Sequence, residues 1–173
     1  DIQDVTITND APEFFPLGET VVTWTATDIV GNTSTTQQKV IVVDTTAPNL
    51  TIPEDQIVEA TSIEETLVEI GEAEAYDITG ISSITNNAPE VFSLGSTVVT
   101  WTTIDNNGNT TTYEQTITVV DTIPPSIFVP ADVVVEAADP VLNFIELGDA
   151  TTYDHVGVDS VTNDKPDSFS FGS

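Results

Sequence analysis

The sequence predicts an all-β protein made of tandem antiparallel β-sandwiches, and three observations carry that prediction. The stretch Gly18 to Asn32 returns almost unchanged as Gly95 to Asn109, with its two tryptophans 101 − 24 = 77 positions apart. Polar and apolar residues alternate at a period of two, and the apolar ones are mainly Val and Ile interleaved with Thr. These β-branched types fit a pleated surface. Turn signals recur roughly every ten residues, and no segment shows helical spacing with caps.

The 77-residue offset holds along the chain without insertion or deletion. Asp44-Thr45 pairs with Asp121-Thr122, Pro48 with Pro125, and Pro53 with Pro130. Val58-Glu59-Ala60 pairs with Val135-Glu136-Ala137, Gly71 with Gly148, and Tyr76-Asp77 with Tyr153-Asp154. Gly18, Gly95 and Gly172 form a series of three. Internal repeats dictate architecture. The 173 residues hold two periods plus 173 − 2 × 77 = 19 positions, beginning and ending inside a repeat, as expected of a piece of a longer array. Repeat boundaries fall at the Pro-containing segments 44–48 and 121–125, which predict short, stiff linkers because Pro fixes φ and extends its predecessor. Residues 1–43 are then the back part of one repeat, 44–120 a complete one, and 121–173 the front part of a third.

In the complete repeat, strands are expected at 49–52, 56–60, 66–70, 80–85, 97–104 and 110–120. Val99, Trp101 and Thr103 share one face of their strand, and Trp101 is the expected core anchor. Ile117 and Val119 share a face of the next strand. The turn Asp105 to Asn109 between them contains Asn107-Gly108, a strong hairpin signal.

The totals exclude several functions. There are 29 acidic residues against 2 lysines and no arginine, a formal net charge of −27. Such a surface repels nucleic acid and anionic membranes and favours salty water and divalent cations. No Cys is present, so there is no disulfide framework and no thiolate metal site. No apolar run reaches the ~18 residues of a membrane span. His155 is the sole histidine and has no catalytic constellation around it. An enzyme is therefore not expected.

Taken in order, the motifs are Asp44-Thr45-x-x-Pro48, Val58-Glu59-Ala60, Tyr76-Asp77-x-x-Gly80, Phe92-x-x-Gly95-x-Thr97-x-Val99-x-Trp101, Asp105-x-x-Gly108-Asn109 and Val119-Val120-Asp121. This ordered set resembles the hyalin repeat, an immunoglobulin-like module of extracellular proteins that often occurs in tandem. The resemblance covers essentially the whole chain. It implies immunoglobulin-like sandwiches and an adhesive or structural surface role, and it brings no catalytic site.

Strand direction locates the carboxylates. If 110–120 runs toward the next repeat, 97–104 runs back, 80–85 forward, 66–70 back and 49–60 forward. The linker 44–48, the loop 71–79 and the hairpin tip 105–109 then share the pole that faces the preceding repeat. Asp44, Glu72, Asp77 and Asp105 belong to those segments, and Asp121, Asp149 and Asp154 to the same segments of the next repeat. Carboxylates about 4 Å apart repel by about 4 kcal/mol per pair at an effective dielectric of 20. Such a cluster splays into water or binds a cation, and an all-oxygen donor set suits calcium. Small domains are often stapled by disulfides or metal, and this one has no disulfide. The bland alternative is that Asp28 and Asp105 only accept N–H bonds in their turns and that Asp44 and Asp121 cap the exits. Glu59 and Glu136 read as outward side chains. Asn32, Asn49 and Asn109 begin Asn-x-Ser/Thr sequons, acceptors for N-glycosylation in a secreted protein.

The expected function is a structural segment of a large extracellular or cell-surface repeat protein: a fibre, a stalk or adhesin, or a surface-layer component. Calcium would stiffen its junctions. The expected partners are other copies of the repeat or like subunits, with surface glycans as a further class. The rival is a carbohydrate- or protein-binding accessory module of a secreted protein, for which Tyr76, Tyr113, Tyr153, Phe15 and Phe92 are the candidate platforms. Phe15, Phe92 and Phe169 recur at one repeat position, which reads as core.

Overall fold

A computed structural model describes residues 5–139 and 142–169, so Gly172 lies outside the described residues. Eleven strands and no helix occur among them. They are β1 (Thr6–Asn9), β2 (Gly18–Thr27), β3 (Thr33–Val42), β4 (Asn49–Thr51), β5 (Gln56–Glu59), β6 (Glu74–Tyr76), β7 (Ile81–Asn86), β8 (Gly95–Asp105), β9 (Thr110–Val120), β10 (Ser126–Phe128) and β11 (Thr151–Tyr153). The 77-residue offset is visible in the strands, since β2 and β8 start at Gly18 and Gly95, β3 and β9 at Thr33 and Thr110, and β4 and β10 at Asn49 and Ser126.

Two compact units divide the chain: Asp1–Leu50 with Ala75–Ile84 and Thr103–Thr111, and Thr51–Glu74 with Thr85–Thr102 and Thr112–Ser173. The first unit holds the three-stranded sheet β1-β2-β3. Both of its pairings are antiparallel, with Trp24 opposite Asn9 on one side and Thr36 on the other.

The largest sheet has the order β5-β9-β8-β7, and β4 pairs separately with β6. In β8 every second residue from Val99 to Asp105 is buried, and in β9 Gln115, Ile117 and Val119 are. This is the period-two pattern of a sheet with one face turned to a core. The core residues are Leu50, Ala60, Phe92, Val99, Trp101, Ile117 and Val119, with Val22 in the first repeat. The all-β class and the layered sheets are consistent with an immunoglobulin-like sandwich. One pairing departs from the antiparallel rule: β5 lies parallel to β9, with Gln56 opposite Ile117 and Glu59 opposite Val120. Both strands run forward in the direction count above, so adjacency makes them parallel.

The strand expected at 66–70 does not form. Thr66 makes a single antiparallel bridge to Phe92, and the ladder stops there. The next carbonyls are used by side chains instead: Gln56 Nε2 donates to Glu69 O at 3.2 Å, and Gln115 Nε2 to Ile70 O at 3.1 Å. A segment whose carbonyls are taken this way satisfies its backbone without a neighbouring strand. Conversely, β6 forms where the sequence predicts no strand, since Glu74-Ala75-Tyr76 sits in a Glu/Ala stretch of low β-propensity.

Candidate functional site

The hairpin tip is built first by its own backbone. Asp105 N donates to Asn109 O at 3.0 Å and closes the β8–β9 turn, with Gly108 at φ 90°. That left-handed conformation suits Gly, which has no Cβ to clash. The Asp105 carboxylate then ties the tip together. Its Oδ1 accepts from Asn107 N and Asn109 N, each at 2.8 Å, and its Oδ2 accepts from Asn109 Nδ2 at 2.7 Å.

A second turn supplies Asp77. Its Oδ1 accepts from Thr79 N and Thr79 Oγ1, each at 2.8 Å, and its carbonyl accepts from Gly80 N at 3.1 Å. The tip and this turn are joined, since Asn106 N donates to Gly80 O at 3.1 Å and Asn106 Nδ2 to Thr79 O at 2.6 Å. A Cβ at Gly80 would meet Asn106 Nδ2 at 2.8 Å. The φ of 90° favours Gly there, and a Cβ would also displace the Asn106 amide from its bond to Thr79 O.

The linker brings Asp44 to the same place. Asn109 Nδ2 donates to Asp44 O at 3.2 Å and Asn107 Nδ2 to Asp44 Oδ2 at 3.3 Å, and Thr79 Oγ1 lies 2.9 Å from Asp44 Oδ2, so its single hydrogen is shared between this oxygen and Asp77 Oδ1. Further along, Thr111 Oγ1 donates to Pro48 O at 2.6 Å. One carboxylate oxygen from each of Asp44, Asp77 and Asp105 lies within 4.8 Å of the others. Asp77 is 9% exposed and Asp105 1%, while Asp44 is half-buried.

No other such acidic group occurs among the described residues. Both lysines are accounted for elsewhere: Lys39 pairs with Glu19 at 3.0 Å, and Lys165 lies in an exposed stretch after β11. Burial pushes the Asp105 carboxyl up, but the bonds from Asn109, Asn107 and Gly108 outweigh it and hold it below the usual range. It is therefore an anion at neutral pH. The donors are all oxygens with no His or Cys, a set that fits a hard cation such as calcium and not zinc.

The other sequence-predicted acids belong to no such group among the described residues. Glu72 is exposed, as are Asp121 and Asp149. Asp121 Oδ1 accepts from Ile123 N at 3.3 Å, and Asp149 lines a hollow with Ile127, Val133 and Leu147. Asp154 repeats the Asp77 turn, accepting from Val156 N and Gly157 N at 2.8 and 2.9 Å. Those two N–H bonds, from Gly157 foremost, hold its pKa below the usual carboxylate value, aided by His155. Asp121 and Asp154 stand where Asp44 and Asp77 stand one repeat earlier; the position matching Asp105 would be 105 + 77 = 182, past the last residue.

Thr79, Asn107 and Asn109 were not expected as the trio's hydrogen-bond donors. For Asn109 the repeated Asp-x-x-Gly-Asn spacing was a signal; for Thr79 none was available. Glu59, which reads as an outward side chain, is half-buried and bonded at the surface. Its Oε1 accepts from Thr122 N at 2.7 Å and its Oε2 from Thr122 Oγ1 at 2.8 Å, so it clasps the second linker. Of the aromatic candidates, Phe92 is buried, whereas Tyr76, Tyr113 and Tyr153 are exposed.

Three relationships accompany this geometry. Residues 43–119 match the family model of the HYR domain. The chain is 39% identical over 143 residues to hyalin of Strongylocentrotus purpuratus, covering 78% of this chain and 12% of that protein. It is 36% identical over 187 positions to hyalin of Lytechinus variegatus, covering 95% of this chain and 34% of that protein. The chain thus spans well under half the length of either relative.

Proposed function

With its central repeat a HYR domain and its other strands following the same pattern, the chain belongs to the hyalin-repeat family, and from that premise we propose that it is a segment of an extracellular, adhesion-type structural array whose repeat junctions are stiffened by calcium. Asp44, Asp77 and Asp105 carry this reading. They come from the linker, the loop after β6 and the tip after β8, three segments far apart in sequence. A divalent cation supplies two positive charges at a point where carboxylates otherwise repel. It would join the first residue of the central repeat to two turns of that repeat. The remaining ligands of a calcium ion would be backbone or Asn carbonyls and water.

The net charge of −27 supports the same setting, since self-repulsion along an acidic array is relieved by divalent cations and salt. The partners that fit are like repeats in longer chains. The extracellular placement is drawn from the relationship to the two hyalins, and no helix among the described residues is long and apolar enough to cross a membrane.

Scanning calorimetry with calcium and with excess chelator tests the metal. A ligand at 100 times its Kd adds about 2.7 kcal/mol of stability. For a domain of this size that raises the melting temperature by roughly ten degrees or more. The expected result is a calcium-dependent rise that Asp105→Asn abolishes. A melting temperature that calcium and chelator leave unmoved sinks the proposal.

A further inference from the structure

We infer that Asn49 is an N-linked glycan acceptor and that Asn109, which carries the same sequon, is a structural residue from which a glycan is excluded. The inference rests on the extracellular reading and adds a modification site to it.

The two sequons are Asn49-Leu50-Thr51 and Asn109-Thr110-Thr111. Asn49 opens β4, where residues two apart point to the same side. Leu50 is turned inward and buried, so Asn49 and Thr51 both face solvent. The two side chains an oligosaccharide-transferring enzyme must read are therefore displayed together. The Asn49 amide makes no hydrogen bond among the described residues, so replacing one of its hydrogens with a sugar removes nothing from the fold.

Asn109 is the opposite case. A glycosylated amide nitrogen retains a single hydrogen, and the Asn109 Nδ2 uses both of its own. They go to Asp105 Oδ2 at 2.7 Å, which closes the tip on itself, and to Asp44 O at 3.2 Å, which ties the tip to the linker. A glycan there would break one of them and place a large polar group in a half-buried position. Asn32 stands between the two, with one amide bond to Asp28 Oδ2 at 2.8 Å.

The repeat comparison separates the roles independently. Asn32 and Asn109 recur at one position because the Asp-x-x-Gly-Asn turn needs that side chain. The counterpart of Asn49 is Ser126, followed by Ile127 and Phe128, so the strand does not need Asn and the third repeat has no sequon there. Structure explains Asn109 and leaves Asn49 without a structural duty.

The test is forced secretion of residues 1–173 from insect cells behind a host signal peptide, followed by peptide N-glycanase and peptide mapping by mass spectrometry. The host pathway presents the site to its enzymes whatever the native destination, so failure of this inference is distinguishable from failure of the extracellular reading. Expected is conversion of Asn49 to Asp in most secreted molecules, with Asn109 unconverted. Asn49→Gln and Thr51→Ala should each remove one glycan-sized mobility step while leaving the melting temperature unchanged. An unmodified Asn49, or an Asn109 modified to a similar extent, overturns the inference. The unmutated protein gives both readings, so neither depends on a variant folding.

Discussion

The hairpins β2–β3 and β8–β9 have nearly the same sequence and the same internal bonds, yet differ in burial. Trp24 Nε1 donates to Gln38 Oε1 at 2.9 Å, and Trp101 Nε1 to Gln115 Oε1 at 3.1 Å. In each turn the Asn reaches back to the Asp, Asn32 to Asp28 and Asn109 to Asp105. Trp24 is nonetheless 36% exposed and Trp101 4%. What differs is the stretch before the hairpin. Gln115 also donates to the carbonyls of Glu54 and Ile70, whereas Gln38 is joined only to Trp24 among the described residues. In the central repeat the front half supplies the carbonyls of Glu54 and Ile70 that hold Gln115, which in turn holds the Trp101 indole.

The contrast can be broken most directly at the tryptophans. Trp101→Ala should lower stability by about 3–5 kcal/mol, the usual cost of removing a buried aromatic. Trp24→Ala should cost less than half of that. Equal losses in urea unfolding would mean that the first hairpin is covered in solution as the second is.

Next come the glutamines. Gln115→Ala leaves the Trp101 indole N–H and the carbonyls of Glu54 and Ile70 unpaired, a loss of about 2 kcal/mol. Gln38→Ala should cost under about 0.5 kcal/mol at its exposed site. The same unfolding curves measure both.

The turn aspartates should separate by their response to metal. Asp105→Asn is expected to lower the melting temperature and remove its calcium dependence, because the Asp105 carboxylate is buried beside two others. Asp28→Asn loses the same local turn bonds, and the calcium-dependent part should survive. A calcium response lost equally in both variants would move the metal away from the trio.

The smallest effect concerns acid. Bonds from Thr122, its backbone N–H foremost, lower the Glu59 pKa from 4.5. A depressed carboxylate contributes fully above the unfolded value and loses that contribution as pH falls through the folded one. Stability should therefore drop below about pH 4.5, and Glu59→Gln should lower the neutral-pH plateau and make that acid limb shallower, the two proteins converging in acid. An acid limb of unchanged slope would show that the Glu59 clasp contributes nothing in solution.

Much of the fold was legible because it repeats. The alternation from Val99 to Asp105 marks the buried face, and the direction count brings Asp44, Asp77 and Asp105 to one pole. Glu72 shared their loop and was not distinguishable from Asp77 on that basis, since the count places segments and not side chains. The turn at Asp77-x-x-Gly80, closed by Thr79, is what selects one acid from that loop. The segment 66–70 looked like a strand because its residues favour one; glutamines distant in sequence took its carbonyls instead.

The sequence by itself determined the repeat length, the sheet-forming period and the hairpin turns. These are local properties, fixed by side-chain alternation and by residues such as Gly108 that tolerate a special φ. Only the tertiary structure decided that Glu59 holds Thr122 and that Asn109 reaches the carbonyl of Asp44. Each of those depends on a partner more than 35 positions away, and pairings at that distance are set by the closing of the sheets and not by the local chain.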